Sequence, residues 1–293
     1  MFAVVAVEIL ITYSRIPANQ LYHVSGDGLL GGASRVLVYS NFPTALVAIA
    51  VLALLTDQRA DRLVVGAAIV GVVLCAAVFW PGIVDQNDLD AKPSNAIAAV
   101  GVLVAVVLTA VAARGGTAWS GSQAGDRVRI AVAVVSLLVG LPWIAADLGF
   151  FLDGVPLLGR LFQTGVIVPE SVGSTTLVPA VHHGHHHGMD GMLLLFSALL
   201  LSRVVPSVGR RPLRVAVGAY LALMAAYGIG NIANDAWGEQ VVKRGWTTWT
   251  LPSVLRPQLS VAWAVVILGA AAIYAASVRA RTPGSLVSSR SGA

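Results

Sequence analysis

Between Asn95 and Ala113 the chain reads NAIAAVGVLVAVVLTAVAA, nineteen consecutive residues without a charge. At roughly 1.5 Å per residue a helix of this length rises about 28 Å, close to the ~30 Å of hydrocarbon in a bilayer. Six other stretches have the same character: Val36–Thr56, Leu63–Val84, Ile130–Leu152, Gly191–Val205, Leu213–Ala233 and Leu259–Val278. Gly191–Val205 is short unless it begins within the histidine segment that precedes it. Met1–Tyr13, which contains Glu8 and stops at Ser14-Arg15, is an eighth and shorter candidate, read as a short span, an interfacial helix or the end of a longer helix. The expectation is an all-α, polytopic transmembrane helical bundle of about eight spans, seven clear plus a short N-terminal one. A single bundle is expected over residues 1–280, with a disordered cytoplasmic tail at 281–293.

Composition supports this. Hydrophobic residues make up 57% of the 293 and charged residues 11%, against about 25% charged in an ordinary soluble domain. Gly, Ala, Val and Leu dominate, as suits helices that approach closely in lipid through small side chains. The formal charge of +5 is spread over short loops and forms no basic stripe, so nucleic acid is not an expected partner. The lone cysteine, Cys75, lies within an apolar run and reads as a small core hydrophobe. The start of the chain, without basic residues or a small-residue cleavage site, reads as a membrane segment and not a secretory signal.

Orientation follows from basic residues, which short loops retain on the cytoplasmic side. The loops near 57–62, 114–129 and 203–214, with the tail after Val278, hold 12 of the 19 Lys and Arg. The alternate loops hold Arg15, Arg35, Lys92, Arg160, Lys243, Arg244 and Arg256. Acidic residues run the other way: Asp57, Asp61 and Asp126 fall inside, whereas Asp27, Asp85, Asp88, Asp90, Asp153, Glu170, Asp190, Asp235 and Glu239 fall outside. The expected location is the plasma (inner) membrane, both termini cytoplasmic and the acidic face extracytoplasmic. Three outer segments, Ser14–Arg35, Asp153–Gly188 and Asn234–Gln258, are long enough for a functional role.

Five of the six histidines stand within Val181-His182-His183-Gly184-His185-His186-His187-Gly188-Met189-Asp190. On a helix His182 and His186 are at i,i+4, as are His183 and His187, so two imidazole pairs each present one face to an ion. Neutral imidazole suits Zn, Ni or Cu, and Asp190 adds a ligand or orients a ring through its N–H. The plainer reading is polar filler where a helix meets the membrane surface, since His-rich tracts bind metals without purpose.

Asp147, in Leu141-Pro142-Trp143-Ile144-Ala145-Ala146-Asp147, is a carboxylate within a span and so a functional candidate, unless it is hydrated near the outer rim. Asn231, Asp235 and Glu239 share one helix face at i, i+4 and i+8, a stripe suited to a cation; Asp147, Asn231 and Asp235 are the expected second site or relay. The plainer reading of that stripe is a hydrated helix end anchored by Trp237, Trp246 and Trp249. Asn41, Asp85, Asp88, Asp90 and Asn95 also fall at outer helix ends and, with His23, ring the same mouth. There is no Gly-rich phosphate loop followed by Lys-Ser/Thr and no Gly-x-Ser-x-Gly elbow, which argues against an ATPase or a serine hydrolase.

Locally, His185–Asp190 followed by an apolar helix resembles the His/Asp helix start of some nickel and cobalt permeases, although Gly191 stands where those have a second histidine. The resemblance implies metal transport and spans only that short segment. The expected function is transition-metal handling, by binding or transport, at an outward His/Asp site. The alternatives are a metal-dependent membrane enzyme acting on a lipid or lipid-linked substrate, and a non-catalytic subunit whose Trp246–Arg256 loop docks a partner. Lipid bilayer and metal ion are the expected partners; no protein partner is legible.

Overall fold

The computed structural model describes residues 2–15, 28–58, 61–81, 91–114, 121–147, 154–157, 159–169, 175, 177–181, 186–255 and 257–279. The expected tail and His23, Asp85, Asp88 and Asp90 lie outside these described residues. The long helices among the described residues are α1 (Phe2–Arg15), α2 (Gly28–Gln58), α3 (Arg62–Cys75), α4 (Pro93–Ala113), α5 (Asp126–Asp147), α6 (His186–Leu201), α7 (Arg211–Trp237) and α8 (Val261–Arg279), and a single helical turn, Gly159–Phe162, stands before the outer strands. A 3-10 turn, Ala76–Phe79, prolongs α3, and a π turn, Gly238–Val242, prolongs α7. Within the long outer segment β1 (Gln163–Pro169) pairs antiparallel with β2 (Leu177–Val181), Val168 opposite Val178. The sequence, read for helical spans, did not anticipate this ribbon.

Local signals explain the boundaries. Asp61 caps α3, its carboxylate accepting the Leu63 N–H at 2.9 Å. Pro93 opens α4, where its missing N–H costs nothing, and Asn95 Oδ1 turns back to accept the Lys92 N–H at 2.8 Å. Pro43 lies inside α2, and the segments Gly28–Val38 and Asn41–Asp57 meet there at 42°. The bend falls where a proline ring crowds the carbonyl four residues earlier, that of Tyr39.

Four helices among the described residues are long and apolar enough to cross a membrane: Arg62–Phe79, Pro93–Ala113, Arg211–Val242 and Val261–Val278. A fifth joins them if the bent α2 counts as one span. The expectation of about eight is therefore not met at that count. Two of the expected spans are short for a physical reason: α1 has 14 residues and α6 has 16, the latter about 24 Å of rise. The expected Gly191–Val205 span ends early because the chain turns after Leu201 and enters a 3-10 turn at Val205–Ser207.

The central helices are α2, α6 and α7. α2 packs against α1, α3, α4, α6 and α7, while α7 packs against α6 on one side and α8 on another. Leu52 of α2 and Leu194 and Leu195 of α6 are wholly inside. By contrast Val70, Leu103, Leu138 and Leu268, on α3, α4, α5 and α8, stand exposed. Such contiguous outward apolar faces suit hydrocarbon as solvent and would be a liability in water.

Close approach depends on glycine at two crossings. A Cβ placed on Gly101 of α4 would lie 2.7 Å from both the backbone N and the Sγ of Cys75 and 2.9 Å from the Gly71 carbonyl oxygen. A Cβ on Gly191 of α6 would lie 2.6 Å from the Gly228 carbonyl oxygen of α7.

The basic end is tied by carboxylates. Asp57 accepts the Gly209 N–H at 2.8 Å and Arg210 Nε at 3.1 Å, joining the end of α2 to the start of α7. Asp126 accepts the Gln123 N–H at 2.8 Å and pairs with Arg129 at 2.9 Å and Arg203 at 3.3 Å. The Gln123 N–H, with the two guanidinium groups, holds the Asp126 carboxyl below its ordinary value. A depressed carboxyl contributes stability above its unfolded-state pKa and loses it as pH falls through the folded one. Asp126→Asn is thus expected to lower the melting midpoint of detergent-solubilised protein at neutral pH. The difference from wild type should shrink as pH falls below the ordinary carboxylate range, where the carboxyl takes up its proton; a difference constant across pH would contradict this role.

Candidate functional site

The crossing of α6 and α7 at Gly191 and Gly228 sets the geometry of the acidic end. With no side chain between them the backbones touch, and the residues one to two turns beyond on α7 are drawn inside with the first turn of α6. Asn231, Asp235 and Glu239 fall on this inward face and are all buried, at 3%, 7% and 4% exposure. The plainer expectation of a hydrated helix end is thereby corrected. The periodicity was legible, but helix contact, not water, covers the stripe.

Each of the three is engaged. Asp235 Oδ2 accepts the backbone N–H of Gly188 at 2.6 Å, which fixes the start of α6 immediately after the histidine tract. Asn231 Nδ2 donates to the Tyr227 carbonyl at 3.0 Å. Glu239 pairs with Lys243 at 2.7 Å, one turn further along. The pair neutralises a carboxylate that burial alone would make costly.

Of the histidines, His182, His183 and His185 lie outside the described residues. His186 is the first residue of α6 and His187 the second. The His187 ring is half-buried, and its Nδ1 is buried with no hydrogen-bond partner among the described residues. Asp190, one turn on, is half-buried and has interaction partners of its own. Asp147 is the last residue of α5, a helix that packs against α6 and α7. Among the described residues no three His, Cys, Asp or Glu side chains converge as a set able to hold a metal ion. His187 and Asp235 are brought to the same helix start, and the remaining ligands of any shell would have to come from the tract before it.

The loop after α7 is strapped down over this end. Asn234 Nδ2 donates to the Leu251 carbonyl at 2.7 Å, Trp237 Nε1 to the Trp249 carbonyl at 2.8 Å, and the Tyr227 hydroxyl to the Leu255 carbonyl at 3.0 Å. Trp246 and Trp249 remain exposed, in keeping with an anchoring role at a membrane surface. Polar side chains of α7 thus serve as fasteners, a use that spacing along one helix does not reveal.

Arg35 was missed as an interior residue. Sequence reading put it in an outer loop, whereas it lies within α2 and is fully buried, at 0% exposure. Its place follows from the helix, which begins at Gly28 and runs through Gly31 and Gly32 well before Val36. Nearby, Asn41 Nδ2 donates to the Asn95 carbonyl, and Ser34 Oγ accepts the Ala91 N–H at 2.9 Å. Asn41 and Asn95, expected at a rim, are both buried and join α2 to α4. No family model matches the chain, and no curated protein or solved structure matches it significantly.

Proposed function

We propose that the chain is a polytopic protein of the plasma (inner) membrane that captures a transition-metal ion at its acidic, outward end. In this reading α5, of 22 residues, and the shorter α1 and α6 complete the set of spans toward eight in one bundle over residues 1–280. The termini are then cytoplasmic, because the Arg-rich connections lie at the end opposite Asp190 and Asp235. The ion is cargo, taken up by the histidine tract and passed toward Asp235 and Asn231, with Asp147 at the end of the adjoining helix.

The observation that carries the reading is the juxtaposition at the start of α6. His187 Nδ1 is a buried nitrogen without a partner among the described residues, and the next residue is held by a buried carboxylate. An unbonded imidazole nitrogen is a metal ligand in waiting. Four histidines immediately upstream supply the same chemistry.

Metal analysis of the full chain purified in detergent tests this. Wild type is expected to retain stoichiometric Zn, Ni or Cu, and replacement of His182, His183, His185, His186 and His187 by alanine to abolish retention. Affinity should fall on acidification, since protonated imidazole does not ligate. Equal metal content in wild type and the five-fold variant, at neutral pH, would sink the proposal.

A further inference from the structure

A cavity of about 460 Å³ opens between α2, the end of α3, α7, the loop around Leu255 and Pro257, and α8. Its inner wall includes Leu46, Met224 and Tyr227, all buried, and its rim includes Phe79 and Trp80, both exposed. The volume lies within the roughly 300–1,000 Å³ of sites for small organic ligands. No lining residue is charged, and the two phenols on the wall have already given their hydrogens away. Tyr220 donates to the Leu46 carbonyl at 2.9 Å, and Tyr227 donates to the Leu255 carbonyl at 3.0 Å.

The depth of the cavity follows from counting along the helices that form it. At about 1.5 Å per residue from the basic end, Leu46 stands about 18 Å in from Gln58 and Met224 about 20 Å in from Arg211. Phe79, at the far end of the span that starts at Arg62, stands about 26 Å in. Against ~30 Å of hydrocarbon, the cavity therefore occupies the half of the layer toward the acidic end, with Trp80 at the level where aromatic side chains meet headgroups. The approach to it is greasy as well: Ile69 and Val73, lower on α3, are exposed.

Water needs two to four polar partners to settle in such a space, and a charged or hydrogen-bonding ligand needs a complementary group; the inner wall supplies neither. What remains is hydrocarbon. Acyl chains are the apolar groups that a bilayer supplies at the highest concentration, and occupancy follows concentration. We propose that this cavity is a binding slot for one acyl chain of a membrane phospholipid, which enters past Phe79 and Trp80 and lies against Leu46, Leu223 and Met224 while its headgroup stays at the acidic surface. No lining residue belongs to the His/Asp site, so this inference is independent of metal capture.

The test uses the full chain in nanodiscs of phosphatidylcholine, a trace of which carries a diazirine midway along one acyl chain, with irradiation followed by peptide mapping of the adducts. Leu46 and Met224, although buried, are expected to be labelled at least as strongly as the lipid-exposed Ile69 and Val73. Leu223→Trp, which fills the slot from a half-buried position, should lower labelling of Leu46 and Met224 about tenfold, the low end of the cost of overpacking a filled space. Labelling of Ile69 and Val73 should be the same in both proteins, which also reports that the fold and its lipid contact survive. Leu223→Ala, which enlarges the slot, should keep labelling of the wall at or above wild type. An unlabelled wall in wild type, or wall labelling that Leu223→Trp leaves unchanged, would overturn the proposal. Loss of wall labelling on adding geranylgeraniol in an amount equal to the diazirine lipid would assign the slot to branched polyprenyl chains and overturn the acyl chain.

Discussion

Gly228→Val is expected to cost the protein its α6–α7 crossing and to do more damage than any other single substitution in the bundle. A Cβ at position 228 would lie 2.5 Å from the Gly191 carbonyl oxygen and 3.1 Å from the Leu195 backbone N. Both are backbone atoms of the facing helix, which cannot rotate aside as a side chain does, so the helices must separate. Overpacking of this kind costs about 1–3 kcal/mol and occasionally more, and valine, with two further methyl groups, belongs at the upper end. Separation would also withdraw Asn231 and Asp235 from the contact that covers them. The expected observation is a steep loss of monodisperse protein on detergent extraction and a large fall in melting midpoint, with a smaller fall for Gly191→Ala. Gly66→Ala is the control: nothing lies within 4 Å of its Cβ, and alanine in a helix interior is favoured over glycine by about 0.5–1 kcal/mol. A Gly228→Val protein that melts with wild type would mean that the two helices do not touch there.

The second large effect is expected at Asp235, where leucine and asparagine should part company. Leucine removes the acceptor of the Gly188 N–H and leaves a buried donor unmatched, at about 1–3 kcal/mol. Asparagine keeps a carbonyl oxygen in the same place and so keeps the α6 start in position, but it has no carboxyl group to ligate a metal ion. Asp235→Leu should therefore lose both stability and bound metal. Asp235→Asn should melt near wild type yet bind metal about 10–100-fold more weakly, the range for groups that support a ligand shell. Metal content and melting midpoint measured together decide the matter. If asparagine retains full affinity, Asp235 merely fastens the backbone and takes no part in capture.

The parts of the fold legible in sequence are those governed by hydrocarbon. α4 begins at Pro93 and ends at Ala113, within two residues of the stretch from Asn95, because solvation by lipid demands an uninterrupted apolar run and charges end it. The start of α2 was not legible in this way. Polar residues such as Arg35 and Asn41 are tolerated there because other helices cover them, and hydropathy along one chain does not register a neighbour. The same holds for the stripe at Asn231, Asp235 and Glu239, whose spacing was plain while its burial was not. Burial there depends on two glycines from separate helices, Gly191 and Gly228, meeting without side chains. The strapped loop from Trp249 to Leu255 escaped for a related reason: its bonds run from side chains to main-chain oxygens, and any sequence can supply the oxygens.

The bend in α2 changes what this helix can offer to its surroundings. Proline at 43 has no hydrogen to give, so the peptide oxygen of Tyr39 receives nothing from that position at the corner. In an oily interior such an oxygen draws a water molecule or a visiting cation. Arg35 stands one turn before Tyr39 on the same helix and is fully buried, so the corner and an enclosed arginine belong to one stretch of α2.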